Sequence, residues 1–170
     1  METTYISTND TAKMIRKELK HYFPNTKFSV RGHKYSGGSS INISWSDGPM
    51  QNEVDAITKR FQGASFDGMI DLKSYHNSFV ILDGAELPTE VHFGADFVFT
   101  DRKVSAEYKA ELVEKFEEIT GKKYDDNETY DLAETGLYAY GSWSGMPRMY
   151  GCQIISRLSY LITPRDKAVA

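Results

Sequence analysis

The segment Arg31-Gly32-His33-Lys34-Tyr35-Ser36-Gly37-Gly38-Ser39-Ser40 gathers the residue types that can hold an anion. Its glycines let backbone amides approach a phosphate, its hydroxyls can donate, Arg31 and Lys34 bring charge, and Tyr35 adds a ring on which a base can stack. Upstream, Lys13, Arg16, Lys17 and Lys20 recur at helical spacing and would neutralise further phosphates. The candidate nucleic-acid contacts are therefore Lys13, Arg16, Lys17, Lys20, Arg31, His33, Lys34, Tyr35, Ser36, Gly37 and Gly38. The segment matches neither a Gly-x-x-x-x-Gly-Lys-Ser/Thr loop nor a Gly-x-Gly-x-x-Gly turn opening a helix. Gly37-Gly38 serves equally well as simple turn geometry, and cations on the wet face of a helix are often only solvated.

Other chemistry is thinly supported. His21, His33, His76 and His92 stand apart, without ligand spacing or cysteine partners, so no metal site, no cofactor and no catalytic residue is assigned. His33 or His76 with Asp67 or Asp71 could build a general base only if the fold brought them together. The lone Cys152 reads as a small buried hydrophobe and allows no internal disulfide. Between Gly141 and Gly151, the residues Trp143, Met146, Arg148 and Tyr150 form a candidate partner-binding set, since aromatics, methionine and arginine anchor interfaces. Trp143 alternatively caps the core.

These groups must be positioned by regular elements. The spacing of Ala12, Ile15, Leu19 and Tyr22 predicts a helix over Ser7–Phe23, begun by Ser7 or Thr8 and stopped at Pro24-Asn25. Alternation predicts strands over Lys27–Arg31 and Ser40–Trp45, paired as a hairpin with a long tip from Gly32 to Ser39. A second helix over Met50–Gln62 completes an N-terminal α-β-β-α unit. Strand-like runs follow at Met69–Leu72, Phe79–Leu82 and Val91–Thr100. A capped, acid-rich helix spans Ser105–Thr120, ending at Gly121. Tyr130–Tyr140 reads as a short helix broken at Gly136, and Gln153–Ile162 fits either a strand or a helix. The expected class is α+β, a mainly antiparallel sheet with helices on one face, in one compact domain over 1–170.

The composition is that of an ordinary folded chain. Its 170 residues are 40% hydrophobic and 26% charged, which excludes extended disorder, and no apolar run is long enough to span a membrane. No export signal is evident, so a cytoplasmic setting is expected. The net charge of -4 conceals a division: Met1–Trp45 carries seven basic and three acidic residues, giving +4, and the remainder carries -8. A basic N-terminal piece thus adjoins an acidic one, the kind of asymmetry that marks a partner-facing surface.

Tyr5-Ile6-Ser7-Thr8, Thr11-Ala12-Lys13-Met14-Ile15-Arg16, Lys27-Phe28-Ser29-Val30-Arg31, Tyr35-Ser36-Gly37-Gly38-Ser39-Ser40-Ile41 and Trp45-Ser46-Asp47-Gly48-Pro49 form a long and specific motif string. With Phe61, Gly63, Phe66-Asp67-Gly68 and Asp71-Leu72, it resembles large polyvalent protein associated domain 29. The likeness is clear over residues 1–72 and loose over 73–170. The resemblance implies a setting in phage, plasmid and conjugative-element proteins, beside DNA-processing and anti-defence modules, and brings no catalytic residues with it. The expected function is a non-enzymatic accessory protein of a mobile genetic element that binds DNA or RNA. The alternative is an inhibitor of a host defence complex, of anti-restriction or anti-CRISPR type, acting by protein contact through the acidic helix over 105–120.

Overall fold

The computed structural model describes residues 3–162 except Asp83, Ala85, Ser142, Ser144, Gly145 and Met146. Contacts divide the chain into two compact units: Met1–Trp45 with Pro49–Arg102, and Ser46–Gly48 with Lys103–Ala170. The class is α+β, with small, mostly antiparallel sheets. The division falls at Arg102–Lys103, well past residue 72.

The first unit opens with β1 (Thr4–Ile6) and α1 (Thr8–Tyr22). Ser7 caps α1, its hydroxyl accepting the Asp10 amide at 3.2 Å. Ala12, Ile15 and Leu19 are buried as the spacing predicts, whereas Tyr22 is exposed, its ring edge-on to His21. Strands β2 (Ser29–Tyr35) and β3 (Gly38–Ser46) pair antiparallel from Ser29↔Ser44 to Tyr35↔Gly38.

The predicted eight-residue tip is therefore mostly strand. Only Ser36 and Gly37 remain as the turn, and Gly37 takes φ 93°, on the left-handed side that glycine adopts without a Cβ clash. Glycines and hydroxyls masked the alternation that continues through this stretch.

Next come α2 (Gln51–Thr58), closed by a 3₁₀ turn over Lys59–Phe61, and the hairpin strands β4 (Ala64–Asp67) and β5 (Leu72–Tyr75). Met69, predicted to start a strand, lies instead in the hairpin turn, where Asp67 Oδ1 accepts its amide at 2.9 Å and Asp71 takes φ 52°. The unit is completed by β6 (Ser78–Val80), β7 (Thr89–Phe93) and β8 (Phe97–Lys103).

The single long strand predicted over Val91–Thr100 is broken at Gly94-Ala95-Asp96. There the backbone carbonyls turn away to other donors. The Thr8 and Ser39 hydroxyls both donate to the Gly94 carbonyl at 2.6 Å, and the Gly63 and Ala64 amides donate to Ala95 and Asp96. The break sends β7 into a sheet of order β1-β7-β6 and β8 into one of order β2-β3-β8, so the expected single sheet is several small ones. The core between them holds Ile15, Leu19, Ile41, Ile43, Trp45, Val54, Phe93 and Val98.

In the second unit, α3 (Ala106–Thr120) is capped by Ser105 and ends at Gly121, as predicted. Thr129–Asp131 is β9, two 3₁₀ turns cover Leu132–Glu134 and Leu137–Tyr140, and Arg148–Tyr150 is β10, which pairs antiparallel with β9. The short helix expected over Tyr130–Tyr140 is thus a strand and two turns separated at Gly136. Gly151–Leu161 is helix α4, resolving the ambiguous C-terminal run. Tyr108, Leu112, Phe116, Tyr130, Leu132, Ile154 and Leu158 form this unit's core. At its surface Asp126 accepts from Tyr124 Oη at 2.5 Å and pairs with Lys109 at 3.0 Å. Those partners, Tyr124 first, hold the Asp126 carboxyl below its ordinary range, while burial and Asp126 push the Tyr124 phenol well up.

Candidate nucleic-acid interface

The predicted α1 cations do not act as one set. Lys13 is paired with Asp10 at 2.8 Å, and Lys17 also has a partner within the fold. Arg16 Nη2 donates to the Val30 carbonyl at 2.5 Å, satisfying an acceptor on β2, the outermost strand of its sheet. Arg16 and Lys20 nevertheless share a groove of about 380 Å³ with Leu19, Pro24, Lys27 and Phe28, at the end of α1 where Pro24 turns the chain towards β2. Three cations on apolar walls suit an anionic polymer, whose phosphates meet charge and whose sugars or bases meet hydrocarbon. Lys27 belongs to this groove but not to the sequence-derived set. The charge count included it, and only the turn at Pro24 brings it beside Arg16 and Lys20.

Strand alternation divides the remaining candidates. Val30, Ile43 and Val98 point into the core, so Arg31, His33 and Tyr35 of β2 lie on the opposite, outer face with Asn42 of β3 and Phe97 and Phe99 of β8. Gly32 faces α1, where a Cβ would meet Thr8 Cγ2 at 3.4 Å. Lys34 shares that parity, so Arg31 and Lys34 do not project together. Arg31 to Tyr35 form an extended edge strand paired with β3, so their backbone does not curl into a loop that wraps an anion. The loop in this segment is therefore only Ser36 and Gly37, and the rest is strand.

The tip is fixed by Asp96. Its Oδ2 accepts the Ser39 amide at 2.7 Å and lies 2.8 Å from Lys73 Nζ, while its own amide donates to Ser39 Oγ at 3.1 Å. Gly38 fits because a Cβ there would stand 2.7 Å from Asp96 Oδ2 and 3.0 Å from the Tyr35 ring, which lies across it. Lys73 is held protonated above its usual range by the Asp96 hydrogen bond, against the opposing effect of burial. The same ammonium sits 4.8 Å from the Tyr75 ring centroid and 5.7 Å from that of Phe97. Nothing in the local sequence around Lys73, Asp96, Phe97 or Phe99 marks them as neighbours of the hairpin tip.

In the second unit, Trp143 is buried at 4% exposure and belongs to the core, so it is not offered to a partner. Arg148 and Tyr150 are exposed on one face of β10, and Met146 lies outside the described residues. Cys152 is exposed, contrary to expectation, because α4 begins at Gly151 and turns Ile154, Ile155 and Leu158 inward instead. His76, His33, Asp67 and Asp71 form no base pair in the described contacts: the His76 carbonyl meets His92 Nδ1, and Asp67 serves its turn. Among the described residues no three His, Cys, Asp or Glu side chains cluster to hold a metal, and no helix is long and apolar enough to cross a membrane.

The fold and this surface define a small mixed α+β domain with a cationic groove and a separate, exposed aromatic sheet face. Residues 6–105, 100 of the 170, match large polyvalent protein associated domain 29, and the chain belongs to that family. The match ends three residues beyond Arg102, so the family domain and the first structural unit nearly coincide. No curated protein and no solved structure matches the chain.

Proposed function

We propose that this protein is a non-enzymatic accessory module of a mobile genetic element, working in the cytoplasm, that binds nucleic acid through its first unit. The observation that carries this reading is the groove lined by Arg16 and Lys20 of α1 and Lys27 of the loop that follows it, three cations around the apolar Leu19, Pro24 and Phe28. Family membership supports the mobile-element setting. Binding is by phosphate neutralisation, so affinity falls steeply with salt.

The test is titration of fluorescent single- and double-stranded oligonucleotides with the full chain at low salt, followed by a salt series. The double variant Lys20→Glu, Lys27→Glu is expected to weaken binding at least tenfold and to lower the salt slope. Absence of binding by the unaltered protein, or equal binding by the variant, overturns the reading.

The host-defence inhibitor remains the second reading, and the exposed acids Glu107, Glu111, Glu114 and Glu118 of α3 favour it. Neighbouring lysines already offset part of that charge, as in the Lys115–Glu118 pair at 2.8 Å.

A further inference from the structure

Unit 1 leaves several large rings in water, and they are connected. Tyr5 stacks near His92 with centroids 6.0 Å apart, and His92 meets the edge of Tyr75 at 5.9 Å. The Lys73 ammonium bridges Tyr75 and Phe97, and Phe97 stacks on Phe99 at 6.1 Å with 27° between planes. Tyr35 lies across Gly38 next to Asp96, the carboxylate that holds Lys73. Tyr35, Tyr75 and Phe99 are 53%, 62% and 54% exposed. A sheet face normally buries such rings or replaces them with polar residues, and here the packing fixes them in place while leaving them bare.

We propose that this band, Tyr35, Tyr75, Phe97 and Phe99 around Lys73, is a stacking platform for the bases of single-stranded nucleic acid, a deepening that rests on the nucleic-acid reading above. Charge complementarity selects the occupant. Arg31 projects from β2 on the same face, exposed and without a carboxylate partner among the described residues, whereas Lys34 has the opposite parity and takes no part. The acid of like parity on β8 is Asp101, at the far end from the hairpin tip. The phosphate backbone therefore runs along β2, and the bases reach inward over β8. Duplex DNA cannot use the platform because its bases are already stacked, whereas every unpaired base has a face to offer. Lys73, neutralised by Asp96, acts here as a positioning residue that holds Tyr75 and Phe97 apart at fixed distances.

The full-length protein is titrated by fluorescence anisotropy with a labelled 20-mer of deoxythymidine and with a mixed-sequence duplex of equal length. Tyr35→Ala with Phe99→Ala is expected to weaken single-strand binding at least tenfold and to leave duplex binding within twofold. Phe99→Leu, which keeps the apolar bulk without the ring, is expected to lose affinity in the same sense. Far-UV circular dichroism checks that the variants remain folded, and these side chains are exposed enough to be removed without opening the core. Single-strand affinity unchanged in the double alanine variant, or fully restored by leucine, overturns the platform while the groove reading stands. Failure of the unaltered protein to bind either oligonucleotide overturns both.

Discussion

Ser39 and Asp96, 57 positions apart, hold each other by two hydrogen bonds, the Ser39 amide to Asp96 Oδ2 at 2.7 Å and the Asp96 amide to Ser39 Oγ at 3.1 Å. The exchange joins the tip of the β2–β3 hairpin to the break that separates β7 from β8. Lys73 completes it from β5, so three distant pieces of chain meet at one carboxylate.

Asp96→Ala leaves the Ser39 amide and the Lys73 ammonium without their acceptor in a largely buried place. A loss of about 2–3 kcal/mol is expected, read as a lower urea midpoint with unchanged slope. Asp96→Asn keeps an oxygen for the Ser39 amide and is expected to lose less. Gly38→Ala destabilises for a different reason, since its methyl would collide with the same carboxylate and with Tyr35. Gly37→Ala strains a residue at φ 93° while meeting no neighbour, so its cost, about 1 kcal/mol, comes from backbone conformation alone.

The Lys73 pair also predicts a pH response. Asp96 raises the Lys73 pKa in the folded state above its ordinary 10.5. Its contribution is therefore full below pH 10.5 and is lost as pH rises through the folded value. Urea midpoints from pH 9 upward are expected to fall faster for the unaltered protein than for Lys73→Met, the two curves converging at the alkaline end. Parallel curves would show that the pair adds nothing to stability.

Trp143 Nε1 is buried and has no hydrogen-bond partner among the described residues. Trp143→Phe removes that unsatisfied donor along with some ring volume. The two effects oppose each other, and a net cost under about 1.5 kcal/mol is expected. Trp143→Ala leaves only the cavity term and is expected to cost about 3–5 kcal/mol, measured by thermal or urea unfolding. Comparable losses in both variants would mean that the indole N–H is satisfied in solution.

Helix α1 with its Ser7 cap, α3 with Ser105 and Gly121, and the pairing of β2 with β3 were legible in the sequence. Each rests on local chemistry: an apolar stripe at helical spacing, a hydroxyl at an N-terminus, a glycine at a left-handed end, alternation along a strand. The exact reach of the hairpin was not legible, because Gly32, Gly38, Ser39 and Ser40 carry no hydrophobic signal. Their strand conformation is set by the partner residues opposite.

The candidate site divides along the same line. The sequence alone determined that residues 1–45 are basic and that Arg16 and Lys20 lie on one side of a helix. Tertiary structure decided that Lys27 joins the first pair, that Lys34 parts from Arg31, that Trp143 is core, and that Lys73, Asp96, Phe97 and Phe99 assemble beside Tyr35. Spacing along the chain governs which residues share a face within one element. Which faces meet depends on where carbonyls such as Gly94 find their donors, and those donors lie more than 50 residues away.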